Sequence, residues 1–437
     1  MKIPDHAKKI TEKLEAVGFE GYVVGGCVRD TLLSKCPDDW DITTSARPEE
    51  LKKIFPHSID TGIAHGTITV LFGKEGYEVT TYRIDGEYED SRHPREVTFT
   101  GSLLEDLKRR DFTINAMAYN DKSGIIDEFE GMKDLSDGVI RCVGDPRERF
   151  KEDALRIMRA VRFSAQLGYQ IEPATREAVI EAAGNLSKIS KERICTELSK
   201  LLLSDRPQDL QTAYELGITK VILPEFDRIM ECGQNNPHHC FSVGEHTLHA
   251  LQNVPADKVL RFTMLFHDFG KALTHSTDEN GIDHFYGHAE KSADISHEIM
   301  KRLRFDNATL RAVEKLVACH DRKIEQTPAG VRRVVAFMGE ELFPKLLQIK
   351  EADFMAQSTY QREDKKNRLD YVRKEYQRIL ERGDCTCIKM LAVTGNDLIL
   401  EGMEPGAEIG RTLQHFLDIV LEHPDYNTKE YLLGQIQ

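Results

Sequence analysis

The chain has 437 residues, of which 40% are hydrophobic and 30% charged, a balance that is typical of globular domains and excludes a disordered protein. A chain of this length predicts about three domains. No apolar run approaches the length that spans a bilayer, and the first residues lack the core of a signal peptide. The nine cysteines form neither a disulfide framework nor a paired zinc motif, so we expect reduced thiols and a cytoplasmic protein.

The net charge of −14 argues mildly against a nucleic-acid partner, because binding to phosphates usually requires a basic surface. The charge is uneven, however. Basic residues cluster at 108–110, 141–151 and 188–193. An RNA would be able to lie along such a stripe on an otherwise acidic protein.

Residues 1–140 alternate short β-rich runs with short helices, whereas the chain from residue 150 onward reads as helix after helix. Short β-rich runs predict strands at 22–24, 67–72 and 78–82. Pro48 followed by two glutamates predicts a helix that ends near Phe55. Apolar residues on one broad side predict a helix over 151–167. The expected fold class is therefore α+β, with a small mixed sheet first and an all-helical remainder.

Two aspartates one residue apart, Asp39 and Asp41, follow a glycine pair at Gly25 and Gly26. On an extended strand residues i and i+2 point the same way, so both carboxylates would share one face and hold one or two Mg²⁺ ions. Metal ions held in this way activate an attacking hydroxyl and stabilise the departing phosphate oxygens. The glycines let backbone approach a phosphate closely, and a helix that starts near Cys27 offers free N–H groups. These parts together predict nucleotidyl transfer.

A second motif begins with basic residues at Lys108, Arg109 and Arg110 and continues amphipathically to Ala118. A guanidinium fork matches phosphate oxygens, so two neighbouring arginines suit a triphosphate. The alternative is a solvated charge run before a core helix. The aspartate pair elsewhere in the chain favours the functional interpretation.

Asp153, Arg156, Arg159 and Arg162 recur every three residues and would form one ridge of the predicted helix. One interpretation is a surface ladder of ion pairs. The other is base recognition, because cytosine and adenine both place an exocyclic amino donor beside a ring-nitrogen acceptor. An aspartate acceptor beside an arginine donor matches C and A, whereas U and G present the reverse order and would leave buried polar groups mismatched.

Four motifs in this order resemble the signature set of the class II tRNA nucleotidyltransferases, a family that includes CCA-adding enzymes and bacterial poly(A) polymerases. The motifs are Gly-Gly-x-Val-Arg-Asp from Gly25, Asp-x-Asp from Asp39, Arg-Arg-Asp-Phe-Thr-x-Asn-Ala from Arg109 and Glu-Asp-x-x-Arg-x-x-Arg-Ala-x-Arg-Phe from Glu152. A weaker run at 191–198 is similar to the last neck motif of that family. The match covers roughly the first half of the chain.

The resemblance implies a five-stranded head, a helical neck that templates the incoming base, and helical body and tail domains that hold tRNA. We expect the nucleotidyltransferase head at 1–140, the base-recognising neck at 141–225, an HD-like helical body at 226–355 and a tRNA-anchoring helical tail at 356–437.

Carried over residue by residue, the resemblance assigns Mg²⁺ binding and catalysis to Asp39 and Asp41. A third carboxylate is expected beside them, with Glu78 and Asp111 as the candidates. The nucleotide-binding residues that it implies are Gly26, Arg29 and Arg110 for the triphosphate, Asp153 and Arg156 for the base, and Arg159 and Arg162 in support.

A polar loop from Arg83 to Pro94 also resembles an element of that family, one that is needed to add the terminal A and is shortened in relatives that add only CC. The loop is complete in this sequence. The resemblance therefore favours a CCA-adding or A-adding enzyme over a CC-adding one. The alternative is an ordinary surface loop.

The helical second half contains His246, the pair His267 and Asp268, and Asp353, which resemble the ligand set of the HD phosphohydrolases. Imidazoles and carboxylates on facing helices suit a divalent transition metal or Mg²⁺. The alternative is a retained helical scaffold without activity.

Two further histidines, His288 and His320, would add a second metal to this set. The remaining histidines are interpreted as surface residues rather than ligands, among them His238, His239 and His275.

We therefore expect template-independent addition of CCA to the 3′ end of tRNA from CTP and ATP, with Mg²⁺ as cofactor and pyrophosphate as the leaving group. Alternatives within the same chemistry are an A-adding enzyme and a poly(A) polymerase. An alternative of another class is a metal phosphohydrolase at the HD residues, with the first half of the chain as its RNA tether. The intact aspartate pair disfavours a non-catalytic RNA-binding protein.

Overall fold

The computed structural model describes residues 1–86 and 97–436. The chain divides into two compact units, Met1–Pro224 and Glu225–Gln437. The finer division into four domains stays a prediction. Residues 87–94 of the loop that resembles a family element lie outside the described residues, so the expectation drawn from that loop also stays a prediction.

The first unit is built around one mixed β-sheet. The strands of the first unit, in chain order, are β1 (Gly21–Val24), β2 (Ile42–Thr44), β3 (Ser58–Gly62), β4 (Thr67–Phe72), β5 (Glu75–Thr81), β6 (Arg83–Asp85), β7 (Val97–Phe99), β8 (Ala118–Asn120), β9 (Gly124–Ile126), β10 (Val139–Ile140) and β11 (Gln170–Ile171). Seven of them form the main sheet in the order β3-β4-β5-β2-β1-β8-β9. Within that sheet β2 and β5 run parallel, and the other neighbouring strands run antiparallel.

The main sheet has two more strands than the five that the resemblance implied. The outermost strands are β3 and β9, whose residues are at most half-buried. The inner strands carry the apolar and β-branched side chains, and all four residues of β1 are buried. In β4 the buried residues are Ile68 and Val70, so alternate side chains face the core, as expected for a strand with one covered face.

Short helices connect and follow these strands. They are α1 (Asp5–Ala16), α2 (Gly26–Leu32), α3 (Pro48–Ile54), α4 (Leu103–Lys108), α5 (Gly131–Asp137), α6 (Pro146–Glu152), α7 (Leu155–Leu167), α8 (Pro173–Ala182), α9 (Lys191–Leu202), α10 (Leu210–Glu215) and α11 (Thr219–Ile222). The strands predicted at 22–24 and 67–72 and the helix predicted from Pro48 are confirmed, while the third predicted strand begins earlier, at Glu75.

The single helix predicted over 151–167 is wrong, because the chain leaves the helical conformation at Asp153 and forms α6 and α7 instead. Asp153 has an extended backbone, with φ −139° and ψ 102°. Its carboxylate Oδ1 accepts a hydrogen bond from the Leu155 N–H at 3.0 Å. An aspartate that satisfies a first-turn N–H group favours the start of a new helix. Asp153 therefore precedes α7, and only the three arginines of the predicted ridge lie on it.

Most of α7 is buried, and its buried cations are paired. Arg162 Nε donates to Glu197 Oε2 of α9 at 2.5 Å. The ring of Phe163 is approached by three guanidinium groups, at 4.9 Å for Arg29, 5.3 Å for Arg159 and 3.9 Å for Arg162. Buried charges are stable only with such partners, so these contacts fix the position of α7.

The second unit is almost entirely helical, as predicted. Its elements are α12 (Pro224–Met230), α13 (Val243–Gln252), α14 (Lys258–Phe266), α15 (Lys271–Thr274), β12 (Ser276–Thr277), β13 (Asp283–His284), α16 (His288–Arg302), α17 (Asn307–Cys319), α18 (Pro328–Met338), α19 (Leu342–Ala356), α20 (Arg362–Arg382), α21 (Gly395–Leu400), α22 (Ala407–Glu422) and α23 (Lys429–Leu433). Separate apolar clusters surround Phe343 and Phe416. In the part of the chain that the structure describes, no helix is both long and apolar enough to cross a membrane.

A buried ion pair ties Asp111 to α7. The side chain of Asp111 is 7% exposed, and its Oδ2 accepts from Arg159 Nε at 2.7 Å. Its Oδ1 accepts from the Phe112 N–H at 2.8 Å and from Asn115 Nδ2 at 3.1 Å. Burial alone would raise the pKa of Asp111, but the charge of Arg159 and the Asn115 hydrogen bond outweigh it and lower this pKa to about 2.

This ion pair should make the stability of the first unit depend on pH. The pKa of Asp111 is about 2 in the folded protein, whereas an unfolded aspartate has a pKa of about 3.9. The stabilisation is therefore present above about pH 4 and is lost as the pH falls towards about pH 2; it amounts to about 2–3 kcal/mol. Asp111→Asn cannot undergo this loss, so it should be less stable than the wild type at neutral pH and approach it in acid.

Urea unfolding followed by the fluorescence of Trp40, the single tryptophan of the chain, measures this difference. Asp205→Asn, the same charge change at an exposed position, is the control and should follow the wild type at every pH. A stability gap between Asp111→Asn and the wild type that stays constant from neutral to acid pH would contradict the assignment.

Candidate active site

Two glycines shape the turn between β1 and α2. Gly25 has φ 84°, in the left-handed region that glycine reaches without steric cost, and its N–H donates to the Met117 carbonyl oxygen at 3.1 Å. A Cβ atom at Gly25 would stand 3.0 Å from Arg110 Nη1, so the glycine lets this arginine lie against the turn. Gly26 opens α2, and Gly25 has no side chain that would cap the first-turn N–H groups.

Three carboxylates come together where β2 begins. Asp39 and Asp41 lie directly before β2 rather than within it, and the Asp41 carbonyl oxygen accepts from the Val24 N–H at 3.0 Å, which extends the pairing with β1 by one residue. Glu78 lies in β5, and the next residue of β5 pairs in parallel with the first residue of β2. The register therefore places Glu78 beside the aspartate pair.

The pKa values of Asp41 and Glu78 are raised, and the charges of neighbouring carboxylates contribute to both shifts. Desolvation raises the pKa of Asp41, the charge of Asp39 raises it further, and Arg110 opposes both effects. Desolvation also raises the pKa of Glu78, and the charges of Asp41 and Asp39 add to this shift. A cation that binds between such groups relieves their repulsion, and carboxylate oxygens are ligands that Mg²⁺ prefers. The donor set therefore fits Mg²⁺.

Arg110 supplies positive charge beside the three carboxylates. Its Nη2 lies 3.5 Å from Asp106 Oδ2, and its Nε is buried with no hydrogen-bond partner among the described residues. Because Arg110 lowers the pKa of Asp41, its charge reaches the carboxylate cluster. A guanidinium suits phosphate oxygens, which accept strong charge-assisted hydrogen bonds from its terminal N–H groups.

Arg29, the other predicted triphosphate arginine, is occupied by protein groups. It is 8% exposed and donates from Nε and Nη2 to the Asp30 carboxylate at 2.8 and 2.9 Å. Its Nη1 donates to Asn115 Oδ1 at 2.6 Å. These hydrogen bonds use three of the five N–H donors of the guanidinium, which leaves one on Nη1 and one on Nη2 for a phosphate. The role of Arg29 in triphosphate binding stays a prediction.

The two predicted base-reading residues lie at the junction of α6 and α7, with their side chains on different partners. Asp153 Oδ2 accepts from Arg193 Nη2 at 2.7 Å. Arg156 Nη1 donates to Glu152 Oε2 at 2.5 Å, and Arg156 Nη2 donates to the Arg109 carbonyl oxygen at 2.8 Å. The structure brings both residues to one place but does not pair their side chains.

Of the two candidates for the third carboxylate, Glu78 lies with the aspartate pair. The other candidate, Asp111, forms an ion pair with Arg159 instead. Three residues that pair with the predicted site residues were not themselves predicted: Asn115, Arg193 and Glu197. Each of these residues lies inside one of the quoted motifs, and this position is the signal by which the sequence could have identified it. The side chain that each residue contacts follows only from the fold.

In the second unit the four predicted HD residues meet in one cluster. His246 Nε2 lies 3.0 Å from Asp353 Oδ1 and 3.3 Å from His267 Nε2. Asp268 Oδ2 lies 3.2 Å from His267 Nε2. His246, His267 and Asp268 are at most 1% exposed, and together they offer a compact set of metal ligands. Imidazole and carboxylate donors at such distances suit a divalent transition metal.

His288 and His320 form a second set around the same aspartate. Their Nε2 atoms are 3.2 Å apart and lie 3.5 and 3.6 Å from Asp268 Oδ1. The Nδ1 atoms contact the carbonyl oxygens of Phe285 at 2.9 Å and Val317 at 2.7 Å, which leaves Nε2 as the ligand nitrogen. Asp268 therefore offers one oxygen to each set, and the arrangement fits two metals bridged by a carboxylate.

His239 was predicted to be a surface residue and instead packs against this cluster. Its ring lies 5.3 Å from that of His246, and its Nδ1 is buried without a partner among the described residues. Desolvation, with the charges of Lys271 and His246, lowers the pKa of His239 to about 3. His275 is exposed, as predicted, and His238 is half-buried.

Three family models match successive parts of the chain. The poly A polymerase head domain matches residues 21–141, and the probable RNA and SrmB-binding site of polymerase A matches residues 168–230. The HD domain matches residues 238–362. The family models thus cover the carboxylate cluster and the histidine cluster separately.

Two solved structures resemble the whole chain. The Bacillus stearothermophilus CCA-adding enzyme in complex with CTP superposes with a TM-score of 0.76 at 29% identity, over 100% of this chain and 98% of that one. The Thermotoga maritima CCA-adding enzyme in complex with tRNA superposes with a TM-score of 0.58 at 22% identity, over 99% of this chain and 95% of that one, which shows a shared fold.

The sequences of curated relatives agree. The CCA-adding enzyme of Leuconostoc mesenteroides is 54% identical over 208 residues, which are 47% of this chain and 52% of that enzyme. In this match and several similar ones, the chain spans about half the length of the relative. The CCA-adding enzyme of Lactobacillus helveticus is 36% identical over 427 residues, which are 96% of this chain and 94% of that enzyme. Since this likeness covers nearly all of both sequences, the chain belongs to the CCA-adding enzyme family.

Proposed function

We propose that this chain adds CCA to the 3′ end of tRNA, using CTP and ATP and releasing pyrophosphate. The observation that carries the proposal is the cluster of Asp39, Asp41 and Glu78 beside Arg110, since mutually repelling carboxylates next to a partly unpaired guanidinium suit Mg²⁺ and a triphosphate. The nearly full-length relative is a CCA-adding enzyme, and the Bacillus stearothermophilus relative binds CTP.

The residues of the cluster divide the chemistry among them. Asp39 and Asp41 would hold Mg²⁺, with Glu78 as the third carboxylate. An ion held there would supply activation of the attacking hydroxyl and stabilisation of the departing phosphate oxygens. Arg110 offers N–H donors to the triphosphate, and Gly25 leaves the space that this arginine needs. The 3′-hydroxyl of tRNA attacks the α-phosphate in line, the bond from the α-phosphorus to the bridging oxygen breaks, and pyrophosphate leaves.

Selection of C and A over U and G is assigned to Asp153 and Arg156. To read a base, the Asp153 carboxylate exchanges Arg193 for the exocyclic amino group, and Arg156 exchanges Glu152 for the ring nitrogen. U and G would leave both side chains facing groups of the same hydrogen-bonding type, which is costly in a half-buried site. Arg159 and Arg162 support the site by holding α7 through their own ion pairs.

An A-adding enzyme or a poly(A) polymerase would use the same carboxylates and differ only in the length and composition of the product. The name of the nearly full-length relative favours complete CCA addition.

The histidine cluster supports a second activity, hydrolysis of a phosphate ester. Two ligand sets that share Asp268 suit a pair of divalent metals, and such a pair clamps a phosphate and activates water. The four imidazoles around Asp268 favour a transition metal over Mg²⁺. This second proposal rests mainly on the position of Asp268 between the two ligand sets.

Asp41→Asn should abolish nucleotide addition. Loss of a partner in the shell behind a metal ligand typically costs 10–100-fold, so loss of a ligand itself should cost at least about 100-fold. The measurement is extension of a tRNA that lacks CCA, with CTP, ATP and Mg²⁺, read as product length on a sequencing gel. Asp38→Asn removes the same charge at an exposed neighbouring residue and should retain activity.

The same variant separates the two proposed activities. Hydrolysis at the histidine cluster, assayed with p-nitrophenyl phosphate and Mn²⁺, should persist in Asp41→Asn. Wild-type rates of nucleotide addition by Asp41→Asn would refute the role of the carboxylate cluster.

Asp153→Asn should relax the choice of base. Asparagine keeps an oxygen for the Leu155 N–H but places an amide donor where the carboxylate accepts from the base. We expect incorporation of C to fall by about 10-fold or more and the preference for CTP over UTP to shrink by a similar factor.

Single-nucleotide incorporation with each of the four triphosphates measures this preference. Glu148→Gln, the same charge change at an exposed residue of α6, is the control. An unchanged ratio of CTP to UTP incorporation in Asp153→Asn would exclude Asp153 from base reading.

A further inference from the structure

A cavity of about 430 Å³ opens beside the histidine cluster in the second unit. His320 and Asp353 both line it, so each of the two ligand sets of the cluster contributes a wall residue. The remaining walls come from the segment that follows α17 and from residues of α19 and α20. A cavity of this volume suits a small molecule such as a mononucleotide.

The lining of this cavity is strongly cationic. Five basic side chains face two acidic ones, Asp321 and Asp353, on a chain whose net charge is −14. The basic residues are Arg322, Lys323, Lys350, Lys365 and Arg368. We call these five residues the cationic wall. Such a concentration of positive charge raises the local concentration of anionic ligands.

Two lysines of the cationic wall are connected to the metal ligands. Lys350 Nζ donates to the carbonyl oxygens of His320 and Arg322 at 2.7 Å each, which leaves one of its three N–H donors for a ligand. Lys365 Nζ donates to Gln357 Oε1, and Gln357 Nε2 donates to Asp353 Oδ1 at 3.1 Å. Hydrogen bonds therefore connect the cationic wall directly to residues of the histidine cluster.

The other parts of the lining differ in character. Lys323 and Arg368 are exposed and lie on two different segments of the wall, after α17 and on α20. Apolar side chains of Ile324, Leu369 and Val372 lie among the charges. Apolar surface beside cations is the combination that a nucleotide requires, since the flat faces of its base pack on apolar side chains and its phosphates are anionic.

We propose that this cavity binds a nucleotide with two separate phosphate groups, one at the metal cluster and one at the cationic wall. The proposal rests on the phosphohydrolase function only in seating the first phosphate at the cluster. A ligand with a single phosphate would occupy the cluster and leave the wall without a counter-charge. A nucleoside that is phosphorylated at both its 3′ and 5′ oxygens has the required chemistry, whether it is a free nucleotide or the end of an RNA chain.

Isothermal titration calorimetry of the full chain with Mn²⁺ tests this with two probes, adenosine 3′,5′-bisphosphate and adenosine 3′-monophosphate. The bisphosphate should bind at least about tenfold more tightly, because the second phosphate forms charge-assisted hydrogen bonds with the wall. The double variant Lys323→Ala and Arg368→Ala should bring the two affinities close together. The matched control, Lys366→Ala with Lys374→Ala, removes two exposed lysines of α20 that do not line the cavity and should keep the difference.

Equal affinity of the wild type for the two probes would overturn the proposal, and so would equal loss of the preference in both double variants. A trinucleotide with a 3′-phosphate separates the sources: binding tighter than the bisphosphate supports an RNA end, and weaker binding supports a free nucleotide. Absence of p-nitrophenyl phosphate hydrolysis with any divalent metal would refute the phosphohydrolase function alone, because the ratio of affinities still reports on the cavity.

Discussion

Repulsion between carboxylates that the main sheet holds close together is the constraint around which the first unit is arranged. The parallel pairing of β2 with β5 sets Glu78 beside Asp41, and desolvation together with the charges of neighbouring carboxylates raises the pKa of both. Such an arrangement is unfavourable in the free protein and favourable once a divalent cation binds. The neighbouring turn at Gly25 lies against the guanidinium of Arg110, whose positive charge lowers the pKa of Asp41.

The helical part of the first unit contains buried positive charges, which have to be paired for the fold to be stable. Arginines of α7 would destabilise the fold if they were unpaired, and each of them has a carboxylate or carbonyl partner at 2.5–3.1 Å. Paired arginines keep α7 in place while leaving exchangeable partners at its start, where Asp153 and Arg156 lie. The buried ion pairs of Arg159 and Arg162 therefore hold α7, while Asp153 and Arg156 at its start have the partners that the proposed base reading would exchange.

The sequence was sufficient to predict the motifs that carry the chemistry, the α+β fold class, most of the strand positions tested and the meeting of the HD residues. Each of these features depends on a local pattern or on a string of motif residues. It failed at one local break in a helix and at two contacts between residues that are far apart or on different segments. The break at Asp153 follows from a side-chain hydrogen bond that overrides helical periodicity. The occupation of Arg29 by Asn115, 86 residues away, and the packing of His239 on His246 are tertiary contacts that no local pattern encodes.

The most direct test of this account is the length of the product that the purified wild-type chain makes on two tRNAs, one lacking CCA and one ending in CC, with CTP, ATP and Mg²⁺. The account predicts that the first gains CCA and stops, and that the second gains a single A. Failure to extend either tRNA, with the carboxylate cluster intact, would contradict it, and so would a long ladder of added A.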